Sequence, residues 1–233
     1  MTAIFLQVRL GSSRFPRKAL AELAGRTAIE HAMHALREVA VDRHVLLTDE
    51  ESAGQLAPYA SRSGFGLFVG DPHDVLARFA SAVEWYEPAT VVRATGDNPL
   101  VSADVARAAL EAHAEHGSDY TALTGGPLGT GVEVIRAQAL LQAAGEARDP
   151  YEREHVTPFL YRHPELFRLR IESVRERWRR DDASVTLDTP ADYAHLKEIF
   201  GELYAGAPID IEALVAHLSR SAREERGTRR HSA

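Results

Sequence analysis

The chain of 233 residues contains no cysteine. That absence excludes a disulfide framework, a thiolate metal site and a cysteine nucleophile. Aromatic residues are also few, and the two tryptophans and seven tyrosines form no stacking platform of the kind that single-stranded nucleic acid needs.

The chain has fewer positive than negative residues: it contains 27 lysine and arginine residues and 34 aspartate and glutamate residues, for a formal net charge of −7. Nucleic acids are bound through a basic field, so we expect no nucleic-acid partner. Long apolar runs are missing as well: none approaches the roughly 18 residues of a membrane-spanning helix, and the first residues lack the features of a signal peptide. We therefore expect no membrane partner and a cytoplasmic location.

What the chain does contain is an alternation of strand-like and helix-like segments, with 45% hydrophobic residues to fill a core. Such alternation is typical of a mostly parallel sheet with helices on both faces. Strands are predicted at 2–8, 44–48, 66–69 and 90–94 and, in a second half where strands need not all be parallel, at 120–123, 132–135 and 167–174. Helices are predicted at about 28–39, 76–86 and 103–115, the first from the capping-box spacing of Thr27 and Glu30.

The predicted architecture is a single-domain, three-layer α/β/α fold with a mixed sheet, over residues 1–218. No Pro/Gly/Ser-rich linker is long enough to divide the chain, and no internal repeat is visible. Residues 219–233 are polar and arginine-rich without apolar periodicity, which predicts a disordered tail.

The segment 7–18 places three cations and a glycine turn directly after the first predicted strand. Backbone N–H groups of a Gly/Ser turn can bind an anion, and Arg9, Arg14 and Lys18 can donate hydrogen bonds to phosphate oxygens. The spacing matches neither the Rossmann nor the Walker pattern. A solvated basic loop is the alternative, since arginine and lysine are common on surfaces.

Asp97 follows the fourth predicted strand, where Gly96 permits a tight turn and Pro99 restrains the exit. A carboxylate in this position can hold Mg²⁺, which prefers oxygen ligands. The alternative is an Asx-type turn, in which the side chain bonds only to its own loop.

Thr48 and Asp49 follow the second predicted strand, and ligands of open parallel sheets bind beyond the carboxyl ends of the strands. Their backbone groups can contact a base, or the two residues form an ordinary loop.

Asp74 and Arg78 lie four positions apart, so they can form an exposed helical ion pair or part of a site wall. For Arg93, too, the sequence does not decide between a structural contact and a part of the site wall.

Glu152, Glu154 and His155 form a polar cluster at the start of a predicted helix. Helix capping alone accounts for Glu152, because a carboxylate is favoured near a helix N-terminus. Arg153 and His155 can instead bind an anionic acceptor, and the imidazole can assist proton removal.

The glycine-rich run 125–131 cannot be a strand interior, and we expect it to lie over the acceptor pocket.

Six segments resemble, in the same order, the motifs of the SpsF-like cytidylyltransferase family of spore-coat polysaccharide biosynthesis, relatives of the CMP-Kdo and CMP-sialic acid synthetases. Residues 9–18 are similar to its R-[ML]-G-S-[ST]-R-[LF]-P-x-K motif, and residues 93–100 to its R-x-T-G-D-x-P-L motif. The other matching segments are 48–49, 69–78, 152–158 and 187–192. Together the six cover residues 3 to about 200.

The resemblance implies a glycosyltransferase A-like, Rossmann-related nucleotidyltransferase fold and a Mg²⁺-dependent cytidylyltransferase. The implied reaction joins CMP from CTP to an acidic or phosphorylated small-molecule acceptor, such as a sugar, sugar acid or related metabolite, and releases pyrophosphate. A homodimer with a contact surface around 167–174 is also expected from the relatives.

By the same resemblance, Asp97 and Asp188 are the metal ligands, although Asp188 or Thr189 can also cap the helix that follows. The implied catalytic residues are Arg9, Lys18 and Asp97. The implied nucleotide-binding residues are Leu10, Gly11, Ser12, Arg14, Thr48, Asp49, Asp74, Arg78 and Arg93. The implied acceptor-binding residues are Glu133, Glu152, Arg153 and His155.

Two departures from the family pattern leave alternatives open. Arg17 stands where glycine is usual, and Gly131 stands where an acidic residue is expected. One alternative is a glycosyltransferase A-like nucleotide-sugar enzyme, which would ordinarily need a D-x-D metal motif that this sequence lacks. The other is a non-catalytic nucleotide-binding subunit.

Overall fold

The computed structural model describes residues 1–12 and 14–231, with side chains up to residue 223. The strands are β1 (Thr2–Gln7), β2 (Glu22–Leu23), β3 (Arg26–Thr27), β4 (Arg43–Thr48), β5 (Gly66–Val69), β6 (Thr90–Thr95), β7 (Tyr120–Thr124), β8 (Glu133–Arg136) and β9 (Leu169–Ser173). The α-helices are α1 (Ala28–Arg37), α2 (Glu50–Arg62), α3 (Val75–Tyr86), α4 (Ala103–His116), α5 (Ala137–Glu146), α6 (Pro150–His155), α7 (Pro158–Arg162), α8 (Pro190–Leu203) and α9 (Ile211–His231).

The main sheet has seven strands in the order β5-β4-β1-β6-β8-β7-β9, and β2 pairs with β3 apart from it. Neighbouring strands of the main sheet are parallel except where β8 lies antiparallel between β6 and β7. The predicted mixed sheet of an α/β fold is thereby confirmed. The chain runs from β1 outward through β4 to β5 and then crosses to β6 on the other side of β1, which makes this position the topological switch point where such sheets bind ligands.

The central strands are buried on both faces. In β1, Ile4 and Leu6 pack into one core cluster, whereas Ala3 and Phe5 pack into a second cluster on the opposite face. The alternation arises because successive side chains of a strand point to opposite faces. A strand covered on both sides needs no polar face, which is why the first predicted strand is a continuous apolar run.

Helix starts follow local capping chemistry. The predicted capping box of α1 is present: Thr27 N–H donates to Glu30 Oε2 at 2.9 Å. Helix α2 was not predicted, because Gly54 and Pro58 weaken its helical pattern. Its packing compensates, since Leu56 is fully buried in the core and the helix begins at a capping aspartate.

The expected tail differs in the structure, where α9 continues from Ile211 to His231. Leu214 and Leu218 anchor the first turns in the core cluster under α8, and the arginine, glutamate and alanine residues that follow extend a helix readily once it is nucleated. Residues 232–233 lie outside the described residues, and the division of the chain at residue 218 stays a prediction. Among the described residues, no helix combines the length and apolar character needed to cross a membrane.

Candidate active site

The loops that follow β1 and β6 enclose a cavity of about 640 Å³ at the switch point. Gln7 and Thr95 are register neighbours at the ends of the two strands, and Gly96 N–H donates to Gln7 O at 2.8 Å, so both loops leave the sheet at the same place. The sequence-predicted residues that line this cavity are Arg9, Gly11, Ser12, Arg14, Lys18, Arg78, Arg93, Asp97, His155 and Asp188.

Lys18 is the central cation of the cavity. It lies on a short 3₁₀ helix, and its side chain is only 13% exposed. Its Nζ donates to Asp97 Oδ2 at 2.9 Å and to Asp188 Oδ1 at 2.7 Å. Arg14 Nη2 donates to the same oxygen of Asp188 at 3.0 Å. Two carboxylates from different loops therefore converge on one largely buried ammonium group.

The carboxylates of Asp97 and Asp188 fit the requirements of a divalent metal site. Both are directed at one position beside the cavity, and both are partly exposed to it. Mg²⁺ is usually held by one or two carboxylates, with waters and substrate phosphates as its remaining ligands. In the described part of the chain, no group of three or more histidine, cysteine, aspartate or glutamate side chains is placed to hold a metal alone. The donor set thus suits a divalent cation that binds together with a phosphate ligand.

The contacts around Asp97 and Asp188 show whether each carboxylate serves only a turn or a helix cap, or faces the cavity. Thr189 caps α8: its Oγ1 accepts from Asp192 N–H at 3.3 Å, and Asp192 Oδ2 accepts from Thr189 N–H at 2.8 Å. Asp188 is therefore not the cap, and its carboxylate faces the cavity. The backbone oxygen of Asp97 accepts from Leu187 N–H at 2.8 Å, which ties the two loops together. The Asp97 carboxylate accepts from Lys18 Nζ of another loop, so it does not serve its own turn alone.

The loop after β1 is fixed on one side and open on the other. Leu10 is buried, lies outside the cavity, and donates its N–H to Ser52 Oγ at 2.9 Å. On the opposite side, the Arg9 side chain is 48% exposed and the Arg14 side chain is 67% exposed. The loop is thereby anchored on α2 while its glycine turn at Gly11 and its arginines face the cavity.

Thr48 and Asp49 lie behind this loop and do not line the cavity. Thr48 is fully buried at the end of β4. Asp49 caps α2 by accepting from Ser52 N–H at 2.8 Å. Because Ser52 also accepts from Leu10 N–H, Asp49 supports the loop from behind.

Arg78 reaches the cavity wall from α3 and is 2% exposed. Its Nε and Nη2 donate to the backbone oxygen of Asp71 at 2.9 and 2.6 Å, so its partner is not Asp74 four positions earlier. Burial lowers the pKa of Arg78, and the nearby Asp49 carboxylate opposes that shift. Gly70 is required beside it, because a Cβ there would lie 2.7 Å from Arg78 Cγ.

Arg153 joins three helices behind the cavity wall. Its Nε contacts Asp74, the residue that caps α3. Its Nη1 donates to the backbone oxygens of Ala144 at 3.1 Å and Ala147 at 2.9 Å. With these partners, Arg153 and Asp74 hold α6 against α3 and α5, and neither lines the cavity.

The remaining residues of the polar cluster lie on different faces of α6. Glu152 is buried and pairs with Arg162 at 3.3 Å, away from the cavity. His155 lines the cavity together with Glu154, whose Oε1 lies 3.5 Å from Arg9 Nη2. Glu154 belongs to the matched motif, yet its role was not proposed from the sequence.

Further uncharged cavity residues were also missed, because no chemistry was assigned to them, although three of them lie within the matched segments 69–78 and 93–100. They are Gln7, Val8, Ala19, Val75, Thr95, Asn98 and Thr186. The sequence did offer one indication for Gln7 and Thr95: each is the last residue of its strand, and ligands bind beyond strand ends in such sheets.

A second cavity of about 540 Å³ lies beside the first and shares Arg93, Thr95 and Asn98 with it. The glycine-rich run 125–131 lines this cavity, together with residues of β7 and β8. The run therefore lies next to the candidate site, and its position over an acceptor pocket stays a prediction.

Arg93 and Glu133 form the wall between the two cavities. They are register partners on β6 and β8, and their side chains contact each other. Arg93 Nε also donates to Gln7 Oε1 at 3.0 Å, while Glu133 Oε1 accepts from Tyr120 OH at 2.6 Å and from Thr157 Oγ1 at 2.8 Å. Burial, and then the Glu133 carboxylate, raise the pKa of Tyr120, so the phenol stays protonated as a donor.

Comparison with known proteins agrees with this geometry. The family model described as cytidylyltransferase matches residues 3–216. The spore coat polysaccharide biosynthesis protein SpsF of Bacillus subtilis strain 168 is 31% identical over 223 residues, which cover 93% of this chain and 93% of that protein.

Solved structures share the fold. A cytidylyltransferase from Leptospira borgpetersenii serovar Hardjo-bovis superposes with a TM-score of 0.87 at 24% identity, covering 95% of each chain. A CMP:2-keto-3-deoxy-manno-octonic acid synthetase complexed with CTP gives a TM-score of 0.65 at 15% identity, covering 86% of this chain and 98% of that one. The resemblance inferred from the six motifs is confirmed, because the family match extends over nearly the whole chain. The chain belongs to the cytidylyltransferase family.

Proposed function

We propose that this protein is a Mg²⁺-dependent cytidylyltransferase that transfers CMP from CTP to an acidic or phosphorylated small-molecule acceptor, such as a sugar or sugar acid, and releases pyrophosphate. The observation that carries the proposal is the convergence of Asp97 and Asp188 on Lys18 at the switch point of the sheet. A bound triphosphate requires concentrated positive charge and carboxylates for a divalent metal. This cavity offers both.

Asp97 and Asp188 would hold the metal beside Lys18, whose Nζ donates to both carboxylates. When bound, Mg²⁺ neutralises charge on the triphosphate and on the departing pyrophosphate. Thr189 and Asp192 cap α8 directly after Asp188 and so keep that carboxylate in place. Carboxylate oxygens are ligands that Mg²⁺ prefers.

The loop after β1 would bind the triphosphate. Gly11 and Ser12 present a turn to the cavity, and Arg9 and Arg14 stand at its rim with exposed guanidinium groups. Arginine donors in this arrangement form charge-assisted hydrogen bonds to phosphate oxygens. Arg78 would border the nucleotide, with Thr48, Asp49 and Asp74 supporting that wall from behind.

In the proposed reaction, an acceptor oxygen attacks the α-phosphorus of CTP, and the bond from that phosphorus to the oxygen of pyrophosphate breaks. No covalent enzyme intermediate is needed, so the protein contributes alignment and charge neutralisation. Lys18 would neutralise charge that builds on the leaving pyrophosphate. His155 faces the same cavity, and its ring nitrogen would take the proton that an acceptor hydroxyl loses.

The second cavity is the proposed acceptor pocket, because it meets the nucleotide cavity at Arg93. Arg93 supplies donors for an anionic group, and Glu133 supplies acceptors for hydroxyls. Glu152 and Arg153 position α6 behind this wall through their contacts with Arg162 and Asp74.

Nucleotide binding provides the direct test. Thermal unfolding is measured with CTP, UTP, ATP and GTP, each with and without Mg²⁺, for the wild type, Asp97→Asn and Asp104→Asn. Ligand that binds only the native state stabilises it by about 2.7 kcal/mol at a concentration of 100 Kd. We expect stabilisation selective for CTP with Mg²⁺, weakened in Asp97→Asn.

Asp104→Asn is the matched control, because Asp104 pairs with Arg107 on α4 away from the cavity. This variant should respond to CTP as the wild type does. If no nucleotide stabilises the wild type, the proposed function fails. If CTP binds, pyrophosphate release over a panel of acidic and phosphorylated sugars then identifies the acceptor class.

A further inference from the structure

Gly131 is a glycine of the second cavity that its backbone conformation does not require. Its φ lies outside the left-handed region, so a side chain there would cause no strain of that kind. In the described part of the chain, the only atom beyond its chain neighbours within 4 Å of an added Cβ is Leu123 O, at 3.9 Å. Gly129 is different, because its φ is +100° and an added Cβ would lie 3.1 Å from Thr186 N. The fold therefore explains the glycine at position 129, whereas the described contacts give no such reason at position 131.

The space beside Gly131 belongs to the second cavity, and the backbone around it is fixed. Gly131 is one of the residues that line this cavity. On one side of it, Thr130 O accepts from Ser102 N–H at 2.9 Å, at the start of α4. On the other side, β8 begins at Glu133, which pairs with Arg93 of β6. Because both flanks are tied to neighbouring elements, a side chain at position 131 would reduce the space available to a ligand.

Much of the wall of this space is apolar. Three of its lining residues are buried valines of the core clusters: Val105, Val132 and Val174. Leu128 also lines the cavity and is 66% exposed, although its backbone is fixed by its N–H donating to Ala183 O at 2.9 Å. Here the exposed leucine continues an apolar lining instead of standing alone on the surface. Such a wall is typical of a pocket that binds an apolar group.

The charges of the second cavity suit a single anionic group on the ligand. Among its described lining residues, the charged side chains are those of Arg93, Glu133 and Asp181. Arg93 contacts Glu133 and also donates to Gln7, so this cation is already partly neutralised. A second anionic group on the ligand would face two carboxylates without another cation in that lining, and like charges repel. The part of the ligand that extends away from Arg93 is therefore expected to be uncharged.

We propose that Gly131 determines acceptor specificity, by opening the second cavity to a bulky apolar substituent, such as an acyl or alkyl group, on an acceptor whose anionic end lies at Arg93. The inference rests on the proposed function, which takes the second cavity as the acceptor pocket. Gly131 is also the position at which this sequence departs from the acidic residue of the family pattern. A carboxylate there would both fill the space and add negative charge, so its replacement by glycine suits an apolar group.

Binding of matched probes tests this proposal. The probes are N-acyl derivatives of glucosamine 1-phosphate and of 4-amino-4-deoxyglucose 1-phosphate, with acyl chains of two, four or six carbons, and glucose 1-phosphate is the unacylated reference. Ligand-observed NMR gives the Kd of each probe. We expect the wild type to bind an acylated series more tightly than the reference, by up to about fourfold, or roughly 0.8 kcal/mol, for each methylene that is buried.

Gly131→Leu fills the space and should weaken the four-carbon probe by at least about tenfold, while glucose 1-phosphate changes by less than about threefold. Gly201→Leu is the matched control, because Gly201 lies on α8, lines neither cavity, and has no described atom within 4 Å of an added Cβ. It should bind every probe as the wild type does.

Leu128→Asn is the second variant, because it removes apolar surface from a residue that is already exposed and leaves the core intact. It should reduce the preference for acylated probes and leave glucose 1-phosphate binding unchanged. Circular dichroism and thermal unfolding verify that each variant is folded. The proposal is overturned if no acylated probe binds more tightly than the reference, if Gly131→Leu weakens both kinds of probe equally, or if Leu128→Asn keeps the full acyl preference.

The response to CTP separates this proposal from the proposed function. Gly131 does not line the first cavity, so we expect Gly131→Leu to keep the wild-type stabilisation by CTP with Mg²⁺. Stabilisation by CTP without any acyl preference would overturn the specificity proposal alone. Acyl-dependent binding by a wild type that does not respond to CTP would leave the apolar pocket standing and overturn only the cytidylyltransferase assignment.

Discussion

At the scale of single residues, Lys18 connects the architecture of the site with its proposed chemistry. Its ammonium group balances the carboxylates of Asp97 and Asp188, which would otherwise face each other across a partly buried cavity. In the proposed reaction the same charge neutralises pyrophosphate as it leaves. The residue type and its place after a strand are local sequence information, whereas its two partners lie 79 and 170 positions away.

Removal of this charge should impair turnover more than folding. We expect Lys18→Ala to lower kcat by about 10²–10³, equivalent to roughly 2.7–4 kcal/mol, by analogy with the loss of one donor from an oxyanion-binding site. Pyrophosphate release at saturating CTP and Mg²⁺ measures the effect, and thermal unfolding verifies the fold.

Lys197→Ala is the matched control for that experiment. Lys197 is exposed on α8 over the ring of Tyr193, and it does not line the cavity. Its removal should leave turnover unchanged. Wild-type turnover in Lys18→Ala would exclude Lys18 from the mechanism.

At the scale of elements, the site depends on the close passage of the β6 exit past the end of β1. A Cβ added at Gly96 would lie 2.7 Å from Val8 Cβ and 2.8 Å from Ile29 Cδ1. These neighbours are core side chains, so neither can move without disturbing the packing between α1 and β1. The sequence pattern indicated a tight turn here, and the structure adds the contact that makes glycine necessary.

We expect Gly96→Ala to destabilise the protein by about 1–3 kcal/mol, the range for an overpacked core. Gly54→Ala is the control, because Gly54 lies within α2 and no atom lies within 4 Å of its added Cβ. Alanine should stabilise that helix by roughly 0.5–1 kcal/mol.

Urea unfolding of both glycine variants gives the comparison. The two substitutions add the same methyl group, so opposite signs isolate the contact with Val8 and Ile29 from the general effect of replacing glycine. Equal stabilities would show that the turn after β6 can open without cost, contrary to the packing described.

At the scale of the whole molecule, buried histidines link stability to pH. His31, His44 and His113 are buried, and a ring nitrogen of each lies close to an oxygen of Leu23, Leu36 and Thr121, respectively. Burial is the main cause that lowers the pKa of each of the three histidines, because the interior disfavours the charged imidazolium.

The sign of the pH effect follows from proton binding. In the unfolded chain these histidines titrate near pH 6.5, whereas the folded protein resists their protonation. As the pH falls through that value, the unfolded state binds more protons and the free energy of unfolding decreases. The slope is at most roughly 1.4 kcal/mol per pH unit for each histidine.

We expect urea unfolding to give a lower free energy of unfolding at about pH 5.5 than at about pH 7.5, with a smaller difference in His113→Gln. His116→Gln is the control, because His116 lies on the same helix, α4, and is exposed. An unchanged pH dependence in His113→Gln would show that protonation of His113 is not coupled to unfolding.

Much of this molecule was predictable from the sequence, because the features concerned depend on residues close together along the chain. The apolar runs of β1, β4, β5 and β6 located the parallel half of the sheet. In β1 and β4 the run is continuous, since a strand buried on both faces has no polar alternation. The capping-box spacing of Thr27 and Glu30 located α1. Motif chemistry assigned the family and ten residues that line the first cavity.

The orientation of β8 and the partners of the charged residues were decided only by the tertiary structure. Arg153 resembled an acceptor ligand in the sequence but packs behind the cavity wall against Asp74, and Arg78 bonds to a backbone oxygen. Asp97 and Asp188 meet at Lys18 because three loops converge at the switch point. The sequence alone determined the family, the elements with strong periodicity and the residue types at strand ends, since these depend on neighbours along the chain. The pairings depend on residues distant in sequence, which only packing brings together.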